Sequence, residues 1–187
     1  MDRPVSAIVL AGGFATRMGR DKATLELRGV SFAQHQVDKL RALGIDDVLL
    51  SGCAFPVEGA RCVPDLYPHR GPLSGIHACL LEAENPSALV LAVDSPLVPA
   101  EFLKELIAAH RDGITLASFR GEVEPLIGVY DRALARACEA LLQGDNYSLR
   151  ALFQKTGVNT VEYRGSPELL LNCNTPEDYR RICALAE

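Results

Sequence analysis

The chain has 187 residues, 48% hydrophobic and 23% charged, with a formal net charge of −5. That length suits a single globular domain spanning 1–187, and the acidic balance excludes broad nucleic-acid or membrane-surface binding, both of which need extended basic surface. No apolar run reaches the ~18 residues that cross a bilayer. Met1-Asp2-Arg3-Pro4 leads straight into a strand-like run with no apolar leader, so a cytoplasmic location is expected.

Val5 to Ala11 is a short run, apolar but for Ser6 and closed by Gly12-Gly13, the pattern of a strand buried on both faces. Ser31 is placed to cap a helix whose Ala33, Val37, Leu40 and Leu43 share one face and which Gly44 stops. "DDVLLSG" reads as the next strand. "PDLYPHRGPLSG" is punctuated as a loop and leads into a helix through "IHACLLEAE". "SALVLAVD" is a second fully apolar strand, ending on Asp94. "PAEFLKELIAAHRDG" reads as an amphipathic helix with Pro99 near its start and Gly113 past its end. Beyond it, "ITLAS", "PLIGVY", "NTVEY" and "LLLN" read as strands, and "RALARACEALLQ" and "SLRALFQKT" as helices. In the last helix Thr175 is the N-cap, Pro176 sits at N1, and Asp178 at N3 completes a variant capping box.

Strands alternating with helices over the first two-thirds predict right-handed βαβ units: an α/β, Rossmann-like, mainly parallel twisted sheet with helices on both faces. The less regular final third predicts an antiparallel strand or two, making the sheet mixed. Ligands of such sheets bind at the carboxyl ends of the strands, where both Gly12-Gly13 and Asp94 fall. The six cysteines (Cys53, Cys62, Cys79, Cys138, Cys173, Cys183) show no CxxC pairing and read as reduced core thiols, without zinc-ligand spacing. His35, His69, His77 and His110 are equally scattered and read as surface or packing residues.

The stretch "AGGFATRMGRDK" takes neither a G-x-G-x-x-G fingerprint nor a Walker A loop. It is a glycine turn that lets backbone N–H groups approach a ligand, followed by Arg17, Arg20 and Lys22. Arginine grips phosphate oxygens bidentately and lysine adds a compact charge, so a triphosphate suits the loop, as does a plain solvated turn.

Leu10-Ala11-Gly12-Gly13, Arg17-Met18-Gly19 and Asp21-Lys22 match the mark of a nucleotidyltransferase family in order and spacing. With Pro64-Asp65, Gly71-Pro72-Leu73-Ser74-Gly75-Ile76, Asp94 with Pro96, Pro125-Leu126 and Asn172-Cys173-Asn174-Thr175-Pro176-Glu177-Asp178, the chain most closely resembles the molybdenum cofactor guanylyltransferases over nearly its whole length. The resemblance implies transfer of GMP from GTP to the terminal phosphate of molybdopterin, with release of pyrophosphate. It implies Leu10, Ala11, Gly12 and Gly13 against the nucleotide, Arg17 and Lys22 as the catalytic cations on its phosphates, Asp65 on the nucleotide, and Asp94 on the nucleotide and Mg²⁺. Gly71, Pro72, Leu73 and Gly75 would enter the acceptor site at a helix N-terminus, a natural anion site. Asn172 and Asn174, alternating on a strand, would face the same cleft. Ser51 stands where relatives often carry Asn beside the nucleoside, and a hydroxyl cannot make an amide's two-sided contact.

Apo-enzymes or their chaperones are the implied recipients of the product. Two alternatives stay open: a cytidylyltransferase, whose members usually read Leu-Ala-Ala-Gly, and a non-catalytic delivery protein. Two further expectations concern stability. Lys22 should be a loop cation whose truncation spares the fold, and Asp94 an unpaired carboxylate repelled by Asp65, so that neutralising it stabilises the unliganded protein.

Overall fold

Residues 4–11, 14–15, 20–52 and 55–186 are described by the computed structural model. In chain order the elements are β1 (Ser6–Leu10), β2 (Phe14–Ala15), β3 (Arg20–Asp21), β4 (Glu26–Leu27), β5 (Val30–Ser31), α1 (Phe32–Ala42), β6 (Val48–Ser51), β7 (Arg61–Val63) and α2 (Pro72–Glu82). They continue as β8 (Ser87–Ala92), α3 (Ala100–Ala109), β9 (Ile114–Phe119), β10 (Glu122–Asp131), α4 (Ala135–Leu142), α5 (Leu149–Thr156), β11 (Asn159–Glu162) and α6 (Pro176–Ala186).

The two apolar runs form the centre of the sheet. β1 is buried along its whole length and pairs in parallel with β6 on one side and β8 on the other, with Leu10 level with both Ser51 and Ala92. The seven-stranded order is β11-β9-β10-β8-β1-β6-β7, and β10 alone runs antiparallel to its neighbours, as a mixed sheet requires. Helices cover both faces. Phe32 and Val37 of α1, Phe102 and Leu103 of α3 and Ile182 of α6 close one core layer. Leu73 and Ile76 of α2, Cys138 and Leu142 of α4 and Leu152 of α5 close the other. Burying both faces accounts for the unbroken apolar strands, which have no solvent side to mark with polar residues.

The helix ends obey the capping chemistry read from the sequence. Ser31 Oγ accepts from Gln34 N–H at 3.2 Å, and Gly44 takes φ 81° just past α1. At α6, Thr175 Oγ1 accepts from Asp178 N–H at 3.1 Å and Asp178 Oδ2 accepts from Thr175 N–H at 2.8 Å, the reciprocal pair of a capping box.

Two local readings are corrected and two elements are extended or added. α2 begins inside the stretch read as a loop: Pro72 occupies N1, where its missing N–H costs nothing, and Gly71 turns the chain at φ 66°. "LLLN" is not a strand but a 3₁₀ turn over Pro167–Leu170 followed by irregular chain, because a short apolar run packs equally well either way. The existence of β7 and the length of β10 go beyond the sequence reading. β7 is a three-residue edge strand with only Val63 buried. β10 forms a hairpin with β9 through a tight turn at Arg120-Gly121, with φ 53° and 81°, and its register slips between Glu124 and Gly128.

The cysteine expectation holds for Cys79, Cys138 and Cys173, which are free and buried, while Cys183 is free and half-buried. It fails for Cys62, which β7 leaves exposed and which is disulfide-bonded; Cys53 lies outside the described residues.

Candidate active site

β1, β6 and β8 end level, so the segments that leave them share one crevice. Leu10 and Ala11 line the end of β1, both buried, while Gly12, Gly13 and Arg17 lie outside the described residues. After β8 the chain turns through Asp94 and Ser95, with Val93 N–H bonding back to Leu10 C=O at 3.1 Å.

Lys22 opens a 3₁₀ turn (Lys22–Thr24) that carries it to this point. Its ammonium lies 2.7 Å from Asp94 Oδ2 and 2.6 Å from Asn174 Oδ1. The Lys22 and Asp94 side chains are only 15% and 20% exposed. Residues far apart in sequence therefore meet at one cation. An ammonium has three N–H donors. Among the described residues these two partners hold two of them, which leaves one to meet a ligand.

Asn172 and Asn174 reach the crevice from irregular chain rather than from a strand. The extended backbone at Leu171 (φ −63°, ψ 128°) and the bond from Cys173 N–H to Asp94 C=O at 2.8 Å lay this segment along the Asp94 turn. Asn172 Oδ1 accepts from Ser95 Oγ at 2.5 Å. Ser95, 1% exposed, escapes the sequence reading, although it directly follows the strand-end aspartate.

On the other side of β1, α2 packs tightly on the strand ends. A Cβ on Gly75 would lie 2.6 Å from Ser51 Oγ and 3.1 Å from Leu10, so only glycine lets α2 approach this closely. Ser51 is consequently buried beneath α2. Leu73 is fully buried in the core, whereas Gly71 and Pro72 are exposed at the helix start and line a 430 Å³ cleft. Arg70 and Tyr147 form its other walls, the guanidinium stacked 4.4 Å over the ring and held by Gly144 C=O at 3.1 Å.

Asp65, half-buried in the preceding loop, keeps one carboxylate oxygen buried with no hydrogen-bond partner, and burial raises its pKa. An unpaired buried acceptor is costly unless a ligand donor meets it. Burial also pushes the thiols of Cys79, Cys138 and Cys173 up to about 12, 12 and 11, so none is a ready nucleophile. His77 is buried against Tyr67 with neither ring nitrogen hydrogen-bonded, and His110 is locked between Thr115 and Asp131. Tyr130 is fully buried, its hydroxyl on Pro125 C=O at 2.6 Å. All are packing residues.

The described residues contain no group of three or more His, Cys, Asp or Glu arranged to hold a metal. Asp94 engages Lys22 through Oδ2, which leaves Oδ1 as a single hard oxygen donor. That set fits Mg²⁺ arriving with a polyphosphate, since the ion is content with one or two carboxylates plus phosphate oxygens and water.

Residues 7–161 match the family model of the MobA-like NTP transferase domain. The molybdenum cofactor guanylyltransferase of Xanthomonas euvesicatoria is 32% identical over 97% of this chain and 96% of its own length. That of Rhizobium meliloti is 34% identical, over 94% and 88%. Among solved structures, the molybdopterin-guanine dinucleotide biosynthesis protein A of Archaeoglobus fulgidus shares the fold with a TM-score of 0.78 at 24% identity, covering 97% of this chain and all of that one. A lysine–aspartate pair at the strand ends and near full-length similarity agree: the chain belongs to the molybdenum cofactor guanylyltransferases of the MobA-like nucleotidyltransferase family.

Proposed function

We propose that this protein transfers GMP from GTP to the terminal phosphate of molybdopterin, forming the guanine dinucleotide and releasing pyrophosphate. The observation that carries the proposal is the convergence of Lys22, Asp94 and Asn174 on one point of the crevice, because phosphoryl chemistry needs charge placed rather than a protein nucleophile.

The reaction joins two anions. The acceptor phosphate, already ionised near neutral pH, attacks the α-phosphorus of the nucleotide in line with the departing pyrophosphate. Lys22 offers its remaining N–H to the α-phosphate oxygens, and Asp94 and Asn174 hold the ammonium still so that no reorganisation is needed as charge develops. Arg17, four residues after Gly13 in the sequence, adds a second cation. Leu10, Ala11, Gly12 and Gly13 support the nucleotide, and the unpaired oxygen of Asp65 accepts from its donors.

Arg70 and the N-terminal end of α2, beside Gly71 and Pro72, favour the acceptor's phosphate in the 430 Å³ cleft. Asp94 Oδ1 would hold Mg²⁺, which when bound supplies Lewis-acid neutralisation of the phosphates. The proposal includes GTP binding, a cytoplasmic location and hand-over of the dinucleotide to apo-enzymes or chaperones, with neither nucleic acid nor membrane as partner. In support, no helix among the described residues is long and apolar enough to cross a membrane.

The test is pyrophosphate release with molybdopterin and Mg²⁺, run separately with GTP, CTP, ATP and UTP. Release with GTP alone supports the proposal. Release with CTP instead overturns the choice of base, and release with none leaves only a nucleotide-binding role.

A further inference from the structure

Asp94 sits in the turn after β8, outside the sheet, yet its carboxylate meets the Lys22 ammonium at 2.7 Å. The back of that turn is held by two side chains of α1. Gln36 Nε2 donates to Ala92 C=O at 2.9 Å and Ser95 C=O at 3.0 Å. Lys39 Nζ donates to Pro96 C=O at 2.6 Å and Val98 C=O at 3.0 Å. Three residues apart on one helix, they share a face; the Gln36 bonds flank Asp94, and the Lys39 bonds hold the chain just after it. Within the turn, Ser95 N–H reaches back to Ala92 C=O at 3.3 Å.

Neither side chain is there for its own solvation. Gln36 is fully buried and its Oε1 has no hydrogen-bond partner, so burying the amide is unfavourable except for the bonds it donates. Burial pulls the Lys39 ammonium down to about 8, against an ordinary lysine value of 10.5. Gln36 thus carries an unpaired buried acceptor and Lys39 a largely desolvated charge, costs of the kind expected of a site-supporting contact.

We infer that Gln36 and Lys39 are positioning residues for nucleotidyl transfer: they clamp the Ala92–Val98 turn so that the Asp94 carboxylate and Ser95 hydroxyl face Lys22 and Asn172. The inference rests on the proposed role of Asp94 and Lys22 in the transfer. Loss of groups that orient a ligating or charge-holding side chain commonly costs 10–100-fold in activity or metal affinity.

Gln36→Met keeps an unbranched side chain and removes both donors. Lys39→Met does the same, while Lys39→Arg retains donors. With GTP, molybdopterin and a Mg²⁺ titration, both Met variants should lose about 10–100-fold in kcat/KM, mainly in kcat, and need more Mg²⁺. Lys39→Arg should recover most of the rate. A lower Tm with kcat, KM and Mg²⁺ dependence all unchanged would reduce the pair to fold support and overturn the inference. A wild-type protein inert with every nucleotide refutes the transfer proposal instead. A measurement independent of activity then decides on positioning: a thermal-unfolding double-mutant cycle of Gln36→Met with Asp94→Asn. Clamping predicts that Asp94→Asn costs less in the Gln36→Met background, because the Lys22 pair is already loosened. Strict additivity overturns the clamp.

Discussion

Asp94→Asn keeps the side chain's shape and removes its charge, and the geometry around the carboxylate sets the size of the effect. Asp94 accepts from the Lys22 ammonium at 2.7 Å with both side chains more than three-quarters buried. An ion-pair hydrogen bond of this kind lies at the top of the ~1.5–3 kcal/mol range for bonds to charged groups, and the bond the ionised ammonium would keep to a neutral amide oxygen lies near its bottom. The substitution should therefore cost about 1–1.5 kcal/mol in the unliganded protein. For a domain of this size that lowers Tm by about 2–6 °C. The sign is opposite to the expectation of an unpaired carboxylate relieved by neutralisation, because the counter-ion is already in place. Turnover should fall by two to three orders of magnitude, the usual scale for losing one preorganised charge-holding group. Raising Mg²⁺ should restore part of the rate by mass action. The assay is pyrophosphate release across a Mg²⁺ titration, beside a thermal unfolding curve for each protein. A variant with an equal or higher Tm and the wild-type Mg²⁺ dependence would refute both the pair and the metal role.

Lys22→Met should lower kcat by about 10²–10³-fold. It should also lower Tm measurably, unlike a solvated loop lysine, because it strands the largely buried Asp94 carboxylate; an unchanged melting curve would show that the pair contributes nothing to the fold. GTP at about a hundred times its Kd should add ~2.7 kcal/mol of stability. A larger thermal shift with CTP would count against guanine. Asp47 supplies a pH signature: burial alone would raise its pKa, but hydrogen bonds from Glu84 N–H, Ser6 Oγ and Arg61 outweigh this and hold it below the ordinary value. Its stabilising contribution is present above about pH 4, the unfolded aspartate value, and lost as pH falls through the lower folded value. The stability difference between wild type and Asp47→Asn in urea should accordingly be constant near neutrality and shrink below about pH 4. A difference constant down to about pH 2 would contradict the assignment.

What the sequence by itself determined was whatever local chemistry decides. After their opening serines β1 and β8 are unbroken apolar runs, and a sheet covered on both faces buries such runs. Ser31 and the Thr175–Asp178 box set their helix starts through bonds to backbone N–H groups three residues on. The family motifs named Lys22, Asp94, Asn172 and Asn174 because each stands at a fixed place in a short string. Tertiary structure decided what depends on partners remote in the chain. β7 exposes two of its three residues and exists only because β6 offers it an edge. The "LLLN" run became a 3₁₀ turn because the leucines find their burial against the α3 and α6 layer, not in a ladder. Lys22 meets Asp94 72 residues later and Asn174 152 residues later, and neither separation leaves a pattern in sequence. Ser95, Gln36 and Lys39 belong to the same class. Nothing local distinguishes a buried amide from a solvated one on an amphipathic helix; only packing α1 against the turn after β8 gives those donors carbonyls to hold.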